Sequence, residues 1–229
     1  MATEVEIKFV LADLAAYHAV RTALDTLAKH AGGEAHEEPQ VNYYLDTAAG
    51  DLHRQRAMAR VRVTTESVEF TVKARPTLHN GVISVGEWQA PLAEALADQW
   101  RTQPPARTSL AIDAAGWLQP GGVLPEPLAA DAALHVLGAM RNGRRKYAIA
   151  WPDLGATGGA VLVELDRVHY GAGGAEAERF EVEIETADAH EKLPAVESWL
   201  NGLGVAFAAA EETKYAQFLR IRAGSGPLQ

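Results

Sequence analysis

The chain has 229 residues, 48% hydrophobic and 22% charged, enough to build one large core or two small ones. Its formal net charge of −9 works against broad nucleic-acid binding, which draws on surplus Lys and Arg to release counterions. With no cysteine, disulfides and thiolate-bound zinc are excluded, and any metal must take oxygen or imidazole ligands.

No apolar run approaches the roughly 20 residues needed to cross a bilayer. A strand begins at once, without the basic and apolar regions of a signal peptide. The expectation is a cytoplasmic protein with no membrane partner, forming one domain over residues 1–229.

In chain order, the first strand sends Glu4, Glu6 and Lys8 to one face and Val5, Ile7 and Phe9 to the other. Asp13 then caps a helix in which Leu14, Tyr17, Val20, Leu24 and Leu27 recur at helical spacing, and Gly32-Gly33 ends it. This helix is expected to cover an apolar outer strand face. Val41 to Thr47 reads as a strand running into a turn, then come Leu52 to Met58 and a basic strand from Ala59 to Thr64. The next unit is a hairpin with arms Val68 to Ala74 and Val82 to Ala90, because Asn80-Gly81 suits the positive backbone angles of a tight turn.

Leu92 to Trp100 has a helical pattern, and the stretch after it is punctuated by Pro104-Pro105, Pro120-Gly121-Gly122, Pro125 and Pro127. Residues 91–128 therefore read as a helical, proline-rich insertion across the outside. Next come a short helix from about Leu128 to Leu137, a turn at Asn142-Gly143, and strands Arg144 to Trp151, Ala160 to Tyr170 and Arg179 to Thr186. Gly171 to Gly174 reads as a flexible loop, and helices near His190 to Leu203 and Glu211 to Ile221 close the chain.

Several strands share one pattern. Arg60 and Arg62 alternate with Val61 and Val63; Glu69, Thr71 and Lys73 with Phe70 and Val72. Glu164 and Asp166 alternate with Val163 and Leu165, and Glu181, Glu183 and Glu185 with Val182 and Ile184. Any one of these alone reads as the solvated face of an antiparallel sheet. Together they are sorted by sign, whereas an ordinary soluble surface mixes signs along each element.

Curling the sheet closed brings the charged faces together and leaves the apolar faces outside, for the helices to bury. The fold class implied is α+β: a closed antiparallel β-barrel, or tunnel, with a charged lumen and helices around it. Charges in a lumen are tolerable if acids and bases pair, if water fills it, or if a ligand and metal ions complete the electrostatics. In the last case basic strands grip an anion and acidic strands hold divalent cations that bridge to it.

The residues in order, Glu4-x-Glu6-x-Lys8, Tyr43-Tyr44-Leu45-Asp46-Thr47, Arg60-x-Arg62, Thr71-Val72-Lys73, Arg144-x-x-Tyr147, Glu181-x-Glu183 and Lys214, resemble the CYTH superfamily, the triphosphate tunnel metalloenzymes. The resemblance implies a tunnel that binds a linear triphosphate with Mg2+ or Mn2+. Lys8, Arg60, Arg62, Lys73, Arg144 and Lys214 would contact phosphate oxygens, and Lys146 shares the phase of Arg144. Glu4, Glu6, Glu181 and Glu183 would hold metal, joined by Glu87, Asp166 and Glu185. Glu4, Glu6 and Lys8 would sit at the reacting centre.

The activity implied is hydrolysis of inorganic triphosphate to pyrophosphate and phosphate, by a stand-alone domain acting as monomer or homodimer. The alternatives are class IV adenylyl cyclase, a thiamine or nucleoside triphosphatase (ATP or thiamine triphosphate as substrate), and a polyphosphate-binding module without turnover. The cyclases usually carry a His-Phe pair before the first motif, where this chain has Met1, Ala2 and Thr3. Two further departures are Ile83-Ser84-Val85-Gly86, where relatives often place an arginine, and Tyr147 in place of the usual tryptophan. The eight histidines are scattered without metal-ligand spacing and read as surface residues.

Overall fold

Period-two alternation demands two unlike environments for each strand, and the computed structural model provides them by closing eight strands into an antiparallel barrel with the apolar faces outward. It describes residues 2–31, 33–108, 133–150, 160–172 and 175–224. The elements in chain order are β1 (Ala2–Leu11), α1 (Leu14–His30), β2 (His36–Thr47), α2 (Asp51–Arg54), β3 (Ala57–Val63), β4 (Val68–His79), β5 (Val82–Pro91) and α3 (Glu94–Thr102). They continue with β6 (Arg107–Thr108), β7 (Leu134–Ala150), β8 (Ala160–Ala172), β9 (Ala175–Glu185), α4 (Ala189–Gly202), β10 (Phe207–Ala209) and α5 (Lys214–Arg222). Around the wall the order is β1-β5-β4-β3-β2-β7-β8-β9, and β1 closes the ring by pairing β5 through Ala2 to Ile7 and β9 through Glu6 to Leu11.

Helix α1 starts where Asp13 accepts a hydrogen bond from the Ala16 amide at 2.8 Å, and its last turn is tied off by the Gly33 amide on the Ala28 carbonyl at 2.9 Å. Gly32 lies outside the described residues. Tyr17, Val20 and Leu24 of α1 pack with Val196 and Leu200 of α4 against Ile7, Phe9, Val163, Leu165, Val182 and Ile184. Leu14 stays exposed. On the other side, Leu52 of α2 and Ala97 and Trp100 of α3 cover Leu45, Val61, Phe70 and Val72. Asp46 sets the turn between, accepting from the amides of Thr47, Leu52 and His53 at 2.7, 2.8 and 3.0 Å. Each large apolar side chain so buried contributes roughly 1.5–3 kcal/mol.

At Asn80-Gly81 both residues have positive φ, +49° and +77°, the turn that matches strand twist. The second Asn-Gly pair does not turn. Asn142 and Gly143 lie in the middle of β7, paired with Gln40 and Pro39 of β2 on one side and with Val168 and Arg167 of β8 on the other. Hydrogen bonding along both edges of a 17-residue strand outweighs a local turn preference. The same pairing makes Leu134 to Leu137 strand rather than helix. Of the expected insertion, α3 lies on the outer face, while residues 109–132 fall outside the described residues. So do Trp151 and residues 173–174 of the glycine loop.

Helix α5 is also not where an outer covering helix would be. Its Phe218 and Ile221 pack on Tyr44, Met58, Met140, Val168 and Tyr170, which share the inward phase of their strands. Gly138 makes the approach feasible, since a Cβ there would sit 2.9 Å from the Phe218 ring. The helix therefore seals one end of the barrel.

Candidate active site

Tyr44, Met58 and Met140 form the floor of a cavity of about 680 Å³, capped from below by α5, with the Tyr44 and Phe218 ring centroids 4.8 Å apart. Above that floor each strand presents its alternate residues in turn toward the mouth: Asn42, Gln40 and Glu38 on β2, Arg60 and Arg62 on β3, and Asn142, Arg144 and Lys146 on β7. On the facing wall β8 offers Asp166 and Glu164, β9 offers Glu181, Glu183 and Glu185, and β1 offers Lys8, Glu6 and Glu4.

The deepest charged cluster is Asp166, Glu181 and Glu183, whose carboxylate oxygens lie within 4.8 Å of one another. Internal cations hold it together. Lys8 Nζ stands 2.8 Å from Glu181 and 3.1 Å from Glu183, and Lys214, the first residue of α5, reaches Asp166 at 2.7 Å and Glu181 at 3.1 Å. Arg144 donates from Nε and Nη2 to Asp166 at 2.8 and 2.6 Å, from Nη2 to Glu183 at 2.7 Å, and also pairs with Glu164. Burial pushes the Glu183 and Asp166 carboxyls up, but Lys214, Lys8 and Arg144 overcome it at Glu183, and Arg144 and Lys214 at Asp166, holding both below the usual carboxylate range. Conversely, the acids hold Lys214 and Arg144 well above their ordinary values against the same burial.

Nearer the mouth, Lys73 pairs with Glu4 and lies 3.5 Å from Glu87, and Lys146 donates to Glu38 at 2.8 Å. Among the described residues Glu6 has no such ion-pair partner: burial, and then the Glu183 charge, push its carboxyl up to about 8. Glu185, opposite Glu6 in register, is exposed at the rim.

Arg60 and Arg62 differ from every other lumen cation. Neither has a carboxylate within 4.0 Å among the described residues, although Arg60 is only 7% exposed and its Nε has no hydrogen-bond partner. Arg62 donates from Nε to the Asn42 side chain at 3.3 Å, and burial, reinforced by the Arg60 and Arg144 charges, pulls it down to about 10.

The structure thus gathers Lys8, Arg60, Arg62, Lys73, Arg144, Lys146 and Lys214 with Glu4, Glu6, Glu87, Glu183 and Glu185 around one cavity, and puts Asp166 and Glu181 beside its inner cations. Glu164 belongs with them. Its alternation with Asp166 was visible in the sequence, but no motif singled it out. The amides of Gln40, Asn42 and Asn142 are the larger omission: period two with Tyr44 would have found the first two, whereas the Asn-Gly reading hid the third. Tyr147 faces outward under α1, donating to Asp25 at 3.0 Å, and Trp88 packs outside near Phe70. Within Ile83-Ser84-Val85-Gly86, Val85 lies opposite Glu4 in register and is buried.

Three hard oxygen donors at this spacing, with Glu181 Oε1 buried and lacking a hydrogen-bond donor, fit a divalent cation that prefers carboxylate ligands. No helix among the described residues is long and apolar enough to cross a membrane.

A sequence search of curated proteins gave no match. Among solved structures, a candidate adenylyl cyclase from Hippeastrum, described as having a dominant triphosphatase activity, is 24% identical with a TM-score of 0.74, over 98% of this chain and 97% of that one. A candidate adenylate cyclase from Bacillus halodurans is 18% identical with a TM-score of 0.58, over 95% and 99% of the two chains. The PH1819 protein of Pyrococcus horikoshii is 18% identical with a TM-score of 0.55, over 96% and 99%. At these identities the likeness is one of fold. The CYTH domain model matches residues 2–215, nearly the whole chain, and with the closed, charge-lined barrel this makes the protein a member of the CYTH family, within the triphosphate tunnel superfamily.

Proposed function

We propose that the protein hydrolyses a triphosphate with a divalent metal ion, and that its substrate is inorganic triphosphate, cleaved to pyrophosphate and phosphate. The observation that carries the reading is the pair of buried Arg60 and half-buried Arg62, which among the described residues have no carboxylate within 4.0 Å and lie across a cavity from a wall of carboxylates. A linear polyanion satisfies the first wall and, with cations between, the second.

On this reading Lys8, Arg60, Arg62, Lys73, Arg144, Lys146 and Lys214 bind phosphate oxygens. Asp166, Glu181, Glu183 and Glu6, with Glu4, Glu87 and Glu185 toward the mouth, hold Mg2+ or Mn2+. The ion, when bound, neutralises phosphate charge and makes a neighbouring water more acidic. The protein's own share is alignment and fixed positive charge, which is most of what phosphoryl transfer requires. Glu4, toward the mouth, is kept ionised by Lys73 against the effect of burial. Glu6, held near 8, becomes an acceptor once added positive charge lowers it.

The sealed floor favours hydrolysis over cyclisation. A triphosphate must come in end-on, so any organic group stays at the mouth and the terminal phosphoryl group meets the Asp166 and Glu181 end. That supports attack at the terminal phosphorus rather than at the phosphorus next to a nucleoside. The dominant triphosphatase activity described for the Hippeastrum protein points the same way.

The test is phosphate release from inorganic triphosphate, ATP and thiamine triphosphate with Mg2+ or Mn2+, with cyclic AMP assayed alongside. Preferred turnover of inorganic triphosphate is expected. Cyclic AMP as the main product would replace the reading with the cyclase, and tight binding without turnover would leave a binding module.

A further inference from the structure

Among the described residues, Asn142 is the one buried lumen carboxamide left without a partner for its acceptor. It is 2% exposed, and its Oδ1 makes no hydrogen bond. Three nearby donor groups are engaged elsewhere, Arg144 by three carboxylates, Arg62 Nε by Asn42, and the Asn42 amide by Gln40 at 3.4 Å, while Arg60 Nε is itself unpartnered and makes no bond to it. A buried, unsatisfied acceptor destabilises the free protein, so a ligand that satisfies it gains what the empty fold lacks. Asn142 stands one inward position above Met140 of the floor, paired in register with Gln40 of β2 and with Val168 of β8, itself packed under α5.

We infer that Asn142 recognises the free terminal phosphoryl group at the closed end of the cavity, and so selects triphosphates with at least one unesterified end. This rests on the triphosphate reading above and deepens it. The chemistry of a carboxamide suits that group. Arg and Lys only donate, whereas an amide both donates and accepts. An inner phosphoryl group offers acceptors alone near neutral pH. A terminal one, with a second pKa of about 6, is present as both P–O⁻ and P–OH. Asn142 Oδ1 can accept a hydrogen bond from P–OH and its Nδ2 can donate to P–O⁻, so it can hold either form.

The experiment compares the unsubstituted protein with Asn142→Ala and the isosteric Asn142→Asp, by calorimetry in chelator. The probes are inorganic triphosphate, its monomethyl ester and its dimethyl ester, in which both ends are capped. Asn142→Ala should weaken inorganic triphosphate and the monomethyl ester by about ten- to a hundredfold, the worth of a hydrogen bond to a charged group, and the dimethyl ester, which has no P–OH for Oδ1 to receive, by clearly less. Asn142→Asp, adding a carboxylate next to the phosphoryl group, should lose more. Unchanged affinity in both variants, or equal losses for capped and uncapped probes, overturns the assignment. Turnover by the unsubstituted protein with Mg2+ is read in parallel. Its absence would remove the hydrolase reading while the affinity ratios still decide the role of Asn142.

Discussion

Replacing Arg60 with methionine should stabilise the ligand-free protein and cripple triphosphate binding. Arg60 is buried without a carboxylate, two residues from Arg62 on the same strand face. Side chains so placed stand roughly 7 Å apart, where like charges repel by about 2 kcal/mol at an effective dielectric of about 20. Relief of that repulsion, with an apolar chain of similar length beside Tyr44, corresponds to a rise in Tm of roughly 4–8 °C for a domain of this size. Binding moves the other way. Losing one partner of a buried charge pair costs about 2–5 kcal/mol, or roughly 30- to several thousand-fold in affinity. The assay is a thermal melt of metal-free protein beside KM for inorganic triphosphate. A fall in Tm of the size expected for a core truncation, or an unchanged KM, would refute the argument that this cation is held uncompensated for a ligand.

Arg144→Met should do the reverse in the melt, destabilising by about 3–5 kcal/mol, because it abandons Glu164, Asp166 and Glu183 to one another; a neutral effect would mean that Lys8 and Lys214 suffice. Glu6 holds a proton up to about 8 when folded and to 4.5 when unfolded, so between those values the folded state binds more protons and stability falls as pH rises. Glu6→Gln should flatten urea midpoints of metal-free protein across that window, and a persisting slope of the same size would show that another group carries it. Gly81→Ala puts a Cβ 2.9 Å from the Lys8 carbonyl at a φ of +77°, and should cost roughly 1–3 kcal/mol in a denaturant titration. Trp100→Ala empties an outer cluster and should cost about 3–5 kcal/mol, yet leave KM as it was, since the ring lies outside the barrel.

Much of this architecture can be read from alternation alone. Glu4 to Phe9, Arg60 to Val63 and Glu181 to Ile184 each carry two opposite faces, and only a closed sheet puts all the charged ones together. The α1 start is legible from Asp13 because capping is a local interaction. The errors share a cause. Asn142-Gly143 has turn chemistry, but its structure is decided by β2 and β8, just over a hundred residues upstream and some twenty-five downstream. Helix α5 has the composition of a covering helix; what places it over the floor is the apolar end of the lumen, Tyr44, Met58 and Met140, which belongs to three separate strands. Strand β10 is three residues long and exists because β1 has a free edge there once β9 and β5 have divided its length. Partners at such separations leave no local mark.

The charge arrangement also explains why anion and metal should bind together. In the ligand-free lumen the acids near the floor use Lys8, Lys214 and Arg144 as counter-ions, and Glu4 and Glu87 share Lys73. An anion drawn to Arg60 and Arg62 alone would face unscreened carboxylates; a divalent ion drawn to Asp166, Glu181 and Glu183 alone would face two ammonium groups. Bound together, each would remove the other's repulsion: Lys8 and Lys214 would turn to phosphate oxygens, and Asp166, Glu181 and Glu183 would hold the ion. By linkage the gain is the same whichever arrives first. On the triphosphate reading, fixed charges of both signs, held at register positions by a closed sheet, would let a net-acidic protein grip a polyanion.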